Sequence, residues 1–216
     1  MIERILPPSA AAVCVYGDVP DAFLFPEEEA MVRRAVERRR REFASVRWCA
    51  RRALADLGEP PGPILRGERG APRWPHGVVG SMTHCEGYRA AAVARAGDVR
   101  AIGIDAEPHL PLPEGVLETV ARPEEHGALG MTGPGVHADR LLFSAKESVY
   151  KAWFPLTGRW LGFEQASVTF APNGTFTARL LAPDPPLPVF HGRWAVGGGL
   201  IATAVTILPQ DGAARG

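Results

Sequence analysis

From Pro26 to Gly58 the apolar residues Val32, Val36, Phe43, Val46, Ala50, Ala53 and Leu57 recur at near-helical spacing. A proline in the first turn, followed by Glu27, Glu28 and Glu29, marks the start, because acids there face the positive end of the helix dipole. Gly58 marks the stop. A phase slip around Ala44 and Ser45 predicts two helices or one kinked helix. A short apolar run at 12–16 precedes this segment and reads as a strand. Residues 59–77 follow it, with Pro60, Pro61, Pro63, Pro72 and Pro75 among glycines, which predicts an irregular loop.

Beyond this loop the pattern turns from helical to extended. Tyr88–Arg95 and Val99–Glu107 read as strands with Gly97-Asp98 as the turn between them. Pro108, Pro111 and Pro113 interrupt regular structure and predict a boundary between an N-terminal half, residues 1–107, and a C-terminal half, residues 108–216. A helix is predicted from about Asp139 to Trp153, ending before Pro155 because proline disfavours helical geometry in the residue ahead of it. Its core stripe is Leu142, Ala145, Val149 and Ala152. In the tail, Ala166–Phe170 and Thr175–Leu181 flank the turn Pro172-Asn173-Gly174, and Gly192–Val196 and Leu200–Leu208 flank a triple glycine. Each half therefore reads as helix plus antiparallel strands, an α+β fold. No sequence repeat relates the two.

Composition narrows the classes of function. A chain of 216 residues allows one large domain or two small ones around a well-buried core. Its 24 basic residues balance 24 acidic ones, which argues against nucleic acid as the main partner, since duplex binders carry a basic excess. Arginines nonetheless concentrate between Arg33 and Arg52, a run that by itself describes a solvated helix face. Cys14, Cys49 and Cys85 are odd in number and widely spaced, and fit neither a disulfide framework nor a zinc site. The first residues lack the apolar run of a signal peptide, and no stretch approaches the roughly 20 apolar residues of a membrane span. A reducing cytoplasm is therefore expected.

The acidic residues carry the candidate chemistry. In an extended strand Asp105 and Glu107 project from one face, while Ile102 and Ile104 point into a core on the other. Two carboxylates that close repel unless a cation or proton intervenes. Hard oxygen ligands without thiolates or paired histidines favour Mg²⁺ or Mn²⁺ over zinc. Taken alone, an Asp-x-Glu triplet describes edge-strand surface acids just as well. In the second long helix Ser144, Glu147 and Lys151 fall on one stripe. A Glu147–Lys151 surface ion pair, worth about 0.3–0.5 kcal/mol, explains that spacing too. The loop expected at Gly80–Tyr88 sets Ser81, Thr83 and His84 between glycines, where backbone amides and an imidazole suit a phosphate. A His84–Cys85 nucleophile pair is the rival there, weakened because sequence neighbours rarely face each other productively. Arg66 and Arg69, among glycines, suit phosphate contact or an ordinary flexible loop.

These weak signals stand in the order and spacing of one family. Through Arg39–Phe43, Arg47–Arg51, Gly80–Tyr88, Gly103–Pro108, Phe143–Pro155 and Trp160–Glu164, the chain resembles a 4′-phosphopantetheinyl transferase. The likeness is to the broad-specificity type that serves polyketide and nonribosomal peptide synthases, in its actinobacterial branch, and covers nearly the whole chain. It implies a pseudo-twofold α+β fold of two similar halves, with coenzyme A in the cleft between them. It also implies Mg²⁺- or Mn²⁺-dependent transfer of phosphopantetheine to a serine of an apo acyl or peptidyl carrier protein.

Residue by residue, the resemblance implies that Asp105, Glu107 and Glu147 hold the metal. Glu147 is also the general base, directly or through a water, and Lys151 steadies the departing 3′,5′-ADP with Lys146 beside it. Arg39, Arg47, Arg66 and His84 hold coenzyme A phosphates, Ser81 and Thr83 help with the pyrophosphate, and Arg69 is a further cofactor contact. Segment 109–125, with Leu110, Leu112, Val116 and Leu117, is expected either to dock the carrier or to form a buried interdomain linker. Departures from the family pattern are mild: Ser148 stands where alanine is frequent, Gln165 where an acid is frequent. A non-catalytic coenzyme A binder and an Mg²⁺-dependent phosphohydrolase are the rivals. The first has no need of Glu147 and Lys151, and no P-loop or aspartyl nucleophile motif supports the second. A built-in pseudo-dimer favours a monomer.

Overall fold

The computed structural model describes residues 1–127 and 129–212. The strands are β1 (Ala10–Tyr16), β2 (Val78–Cys85), β3 (Tyr88–Arg95), β4 (Ala101–Pro108), β5 (Ala166–Ala171), β6 (Thr175–Leu180), β7 (Val189–Gly197) and β8 (Leu200–Ile207). The helices are α1 (Pro26–Val32), α2 (Glu37–Asp56), α3 (Leu117–Val120), α4 (Pro123–His126) and α5 (Ala138–Thr157). Strands pair antiparallel in two sheets, ordered β1-β3-β2 and β4-β8-β7-β6-β5. Each sheet carries one long helix, so the two halves share the expected α+β plan. Among the described residues no helix is long and apolar enough to cross a membrane, and Cys14, Cys49 and Cys85 are free thiols.

Packing explains the residue choices. Ala91 and Val93 of β3 cluster with Cys49, Ala50, Ala53 and Leu54 of α2. On the opposite face Ala90, Ala92 and Ala94 cluster with Ile102, Ile104 and Ala106 of β4. A strand covered on both faces needs small side chains, and β3 is alanine-rich for that reason. In the other half Leu142, Ala145, Val149 and Ala152 of α5 are fully buried against Phe170, Phe176, Phe190 and Ile201. This helix lies so close to β4 that a Cβ on Gly103 would run into the Ser148 carbonyl and the Ala152 amide.

The two sheets meet where β2 lies beside β4. Instead of a main-chain ladder, two hydroxyls accept the strand amides there. Ile104 N–H donates to Ser81 Oγ at 3.1 Å, and Ala106 N–H to Thr83 Oγ1 at 3.1 Å. Buried amides need partners, and these side chains supply them across the seam.

Several elements depart from the sequence expectations. The helical break falls at Arg33–Val36, not at Ala44–Ser45. The phase slip instead reflects a second covered flank, since buried Ser45 accepts the Val19 amide at 2.9 Å. The segment around His84 is a strand rather than a loop. The strands β3 and β4 do not pair with each other, and β4 hydrogen-bonds to β8. The sheet division therefore falls before Ala101, ahead of the boundary expected at 107/108. Finally, α5 continues through Pro155 and stops at Gly158, whose left-handed backbone (φ 63°) suits glycine at a helix end. Burial of Trp153 and Phe154 offsets the bond that proline removes.

The Gly103 contact makes a direct prediction. Gly103→Ala should force α5 off the sheet and cost about 1–3 kcal/mol, as overpacking does, read as a lower urea midpoint with unchanged m-value.

Candidate functional site

Between the halves, α2, the following loop, β2 and α5 enclose a cleft of about 690 Å³. Three arginines line it. Arg39 and Arg47 enter from α2 and Arg66 from the loop. The Arg47 and Arg66 guanidinium carbons lie 3.3 and 5.2 Å from the Phe43 ring centroid, so one aromatic face steadies two like charges. Arg39 donates to Nε2 of His84, which fixes that imidazole as a neutral acceptor. Burial, then the Arg39 charge, push the His84 pKa down to about 4.

Arg47 is set in place by Glu28, a fully buried carboxylate. Glu28 lies 3.5 Å from Arg47 Nε and accepts from Arg51 Nη1 at 3.0 Å, Ile64 N at 2.8 Å and Phe25 N at 2.9 Å. Arg47 Nε also donates to the Ile64 carbonyl at 3.1 Å. Burial lowers the Arg47 pKa to about 9 while Glu28 opposes the fall, so the side chain remains a cation at neutral pH.

The helix α5 and the strand β4 add acidic groups and a lysine. Glu147 and Lys151 line the cleft one turn apart on α5. Lys151 Nζ donates to Asp105 Oδ1 at 2.6 Å and to the Ile104 carbonyl at 3.1 Å. The Thr83 hydroxyl donates to the same Oδ1 at 3.3 Å. Among the described residues, Asp105 Oδ2 is buried without a hydrogen-bond partner. Glu107 Oε2 accepts from Arg140 Nη1 at 2.9 Å. Burial, then the charge of Asp105, raise the Glu107 pKa. Burial raises Glu147 as well, with Lys151 opposing and Asp105 adding to it. Among the described residues, no three acidic, histidine or cysteine side chains are gathered tightly enough to grip a metal ion as they stand. The all-oxygen donors and the orphaned Oδ2 nonetheless fit a hard divalent cation that arrives with substrate phosphates and keeps some of its water.

Of the residues singled out in the sequence, Arg39, Arg47, Arg66, Arg69, Ser81, His84, Glu147 and Lys151 line the cleft. Asp105 joins them through Lys151. Arg69 lies 5.7 Å from the Trp160 ring centroid, bridging loop and C-terminal half at the rim. Lys146 requires correction. It lies roughly 140° around the helix from Lys151, 2% exposed. Its Nζ donates to Glu125 (2.6 Å) and to the carbonyls of Val120 (2.8 Å) and Phe163 (2.9 Å), so it holds the fold together away from the cleft. Thr83 is likewise turned to the seam and to Asp105. Ser81 accepts from β4 and keeps its own proton to donate.

The nucleophile reading of Cys85 fails, because burial and then Glu107 and Asp105 push its thiol up to about 12. In segment 109–125, Val116 and Leu117 pack on the core while Leu110 is exposed. Sequence reasoning missed Glu28, Phe43 and Arg140. Glu28 did carry a signal: it stands three residues after the helix cap Phe25, the spacing at which a side chain returns to the cap amide.

Comparison with known proteins gives matches over both halves. The family model of the 4′-phosphopantetheinyl transferase N-terminal domain matches residues 27–94. The model of the 4′-phosphopantetheinyl transferase superfamily matches residues 101–205. The 4′-phosphopantetheinyl transferase Svp of Streptomyces mobaraensis is 55% identical, over 100% of this chain and 92% of its own length. The corresponding Npt of Nocardia iowensis is 52% identical, over 95% and 99%. PptT of Mycobacterium tuberculosis is 50% identical, over 89% and 90%.

Two predictions separate structural from cleft roles. Lys146→Met leaves Glu125 charged and buried, and should cost about 3–5 kcal/mol in chemical denaturation without raising the coenzyme A dissociation constant of the folded protein. His84 should titrate near pH 4 by NMR in the free protein. Because the unfolded chain takes up that proton near its ordinary 6.5, stability should fall as pH drops from 6.5 towards 4. His84→Asn should remove that part of the acid sensitivity.

Proposed function

The chain belongs to the 4′-phosphopantetheinyl transferase superfamily, and from that premise we propose how its cleft performs the reaction. The protein is a transferase that moves the 4′-phosphopantetheinyl group of coenzyme A to a carrier protein. The observation that carries the mechanism is that one cleft is lined by three arginines, Arg39, Arg47 and Arg66, together with Glu147 and Lys151.

Coenzyme A is highly anionic, and Arg39, Arg47 and Arg66 give its phosphates charge-assisted donors in a partly dry site. His84, protonated only when a bound phosphate raises its pKa, adds a further donor. Ser81 has a free hydroxyl proton to offer the pyrophosphate, and Arg69 a guanidinium at the rim. Carrier recognition belongs to the C-terminal half, where exposed Leu110 offers apolar surface.

Asp105, Glu107 and Glu147 are the residues that would hold a divalent cation, Mg²⁺ or Mn²⁺. When bound, such an ion supplies charge neutralisation on the pyrophosphate. The chain's own residues do the rest. Glu147, its pKa raised by burial, takes the proton of the carrier serine hydroxyl. The serine oxygen then bonds to the phosphorus that carries pantetheine, the bond from that phosphorus to the bridging oxygen breaks, and 3′,5′-ADP leaves with the electron pair. Lys151, one turn on, stabilises the charge that accumulates there. A coenzyme A sensor would have no use for Glu147 and Lys151. One chain contributes all of these residues, so a monomer suffices. The half ahead of Ala101 then serves the cofactor phosphates, and the half that begins with β4 serves the metal and the proton transfer.

Incubation with coenzyme A, Mg²⁺ and an apo carrier domain should increase the carrier's mass by one phosphopantetheine arm. Glu147→Gln should lower kcat by about 10²–10⁴-fold, the range for a general base. Full activity in that variant would rule out Glu147 as the base.

A further inference from the structure

Arg140 stands in the first turn of α5, on the stripe that continues through Ser144, Glu147 and Lys151. Its side chain is 16% exposed. Three of its donor groups go to the chain leaving β4. Nη1 donates to Glu107 Oε2 at 2.9 Å, Nε to the Leu110 carbonyl at 3.1 Å and Nη2 to the Pro111 carbonyl at 2.8 Å. Its neighbour Asp139 accepts the Leu112 amide at 2.7 Å, and His109 Nε2 accepts the His137 amide at 3.2 Å. Residues 107–112 are thus fastened along their length to the start of one helix.

A planar guanidinium held at three corners cannot turn without losing all three bonds. The carboxylate it grips is therefore confined to one orientation. Glu107 needs that restraint because it sits near the end of β4, where the chain leaves the sheet. Only Oε2 is taken by Arg140; among the described residues no hydrogen bond engages Oε1. The helix that presents Glu147 and Lys151 also fixes Glu107, through the same stripe of side chains.

Resting on the assignment of Glu107 as a metal ligand, we propose that Arg140 is a positioning residue that holds the Glu107 carboxylate ready for the divalent cation. It touches neither substrate nor reacting atoms, and its bonds to the Leu110 and Pro111 carbonyls serve to immobilise its own guanidinium. Lysine cannot replace it fully, since one ammonium cannot reproduce the fork.

The test is Mn²⁺ binding, followed by the electron-spin signal of free Mn²⁺ with coenzyme A present, for the parent protein and for R140A, R140K and E107A. Coenzyme A affinity in EDTA is measured alongside. R140A should weaken Mn²⁺ binding about 10–100-fold, as loss of an outer-shell partner does, with R140K between it and the parent. Coenzyme A affinity in EDTA should stay within about twofold, by the additivity of distant sites. Adding R140A to E107A should weaken Mn²⁺ no further. Equal or tighter Mn²⁺ binding by R140A overturns the proposal, the latter outcome making Arg140 a competitor of the ion. No Mn²⁺ binding by the parent overturns the ligand assignment and the proposal with it. Should R140A fail to fold, R140Q, which keeps most of the shape without the charge, decides by the same readings.

Discussion

A carboxylate almost shut off from water must find donors or positive charge, and Asp105 finds them on both halves at once. Thr83 reaches it from the first sheet and Lys151 from the helix of the second, while its own strand pairs with β8. Each partner depends on a packing feature elsewhere. Thr83 faces Asp105 because its oxygen also accepts the Ala106 amide across the seam. Lys151 reaches it because α5 presses on Gly103, where no side chain holds the helix away. The halves are therefore joined at Asp105, and a shift of either sheet disturbs its contacts directly. A buried charge with one oxygen left unpartnered is costly in a folded protein.

The arginines of the cleft pose the converse problem. Several stand close together, and like charges repel in a dry site. Glu28, entirely buried, balances Arg47 and Arg51 from behind, and Phe43 spreads a polarizable face under Arg47 and Arg66. The cluster is thus local, and the whole chain stays neutral. Charge balance over the molecule combined with strong local asymmetry suits a protein that binds an anionic small molecule and an entire second protein.

Much of this was legible in the residues. The short run Tyr88–Arg95 gave β3 to the residue, and the Asn173-Gly174 turn gave the β5–β6 hairpin, because both signals are local. The helical stripe Leu142, Ala145, Val149 and Ala152 is buried as read. Local signals could not tell that β3 and β4 part company, since a short turn is compatible with a hairpin and with a change of sheet alike. Nor could they tell that the His84 segment is a strand. Its hydroxyl-rich sequence resembles a loop until β4 arrives to use those hydroxyls as acceptors. Lys146 shows the same limit: its neighbour in sequence serves the cleft, and it serves Glu125.

The sequence by itself determined the α+β class, the two-half plan and the family, and it offered residue types whose chemistry suits phosphate, metal and proton. Periodicity and motif spacing encode those features over a few turns or strands. The tertiary structure alone decided which side of α5 each lysine faces, which sheet receives β4, and which acids are paired with Lys151 and Arg140. Those outcomes depend on contacts between residues far apart in the chain, such as Thr83 with Asp105 and Glu28 with Arg51. No local pattern carries them, because the partner that fixes each group arrives only when the halves pack.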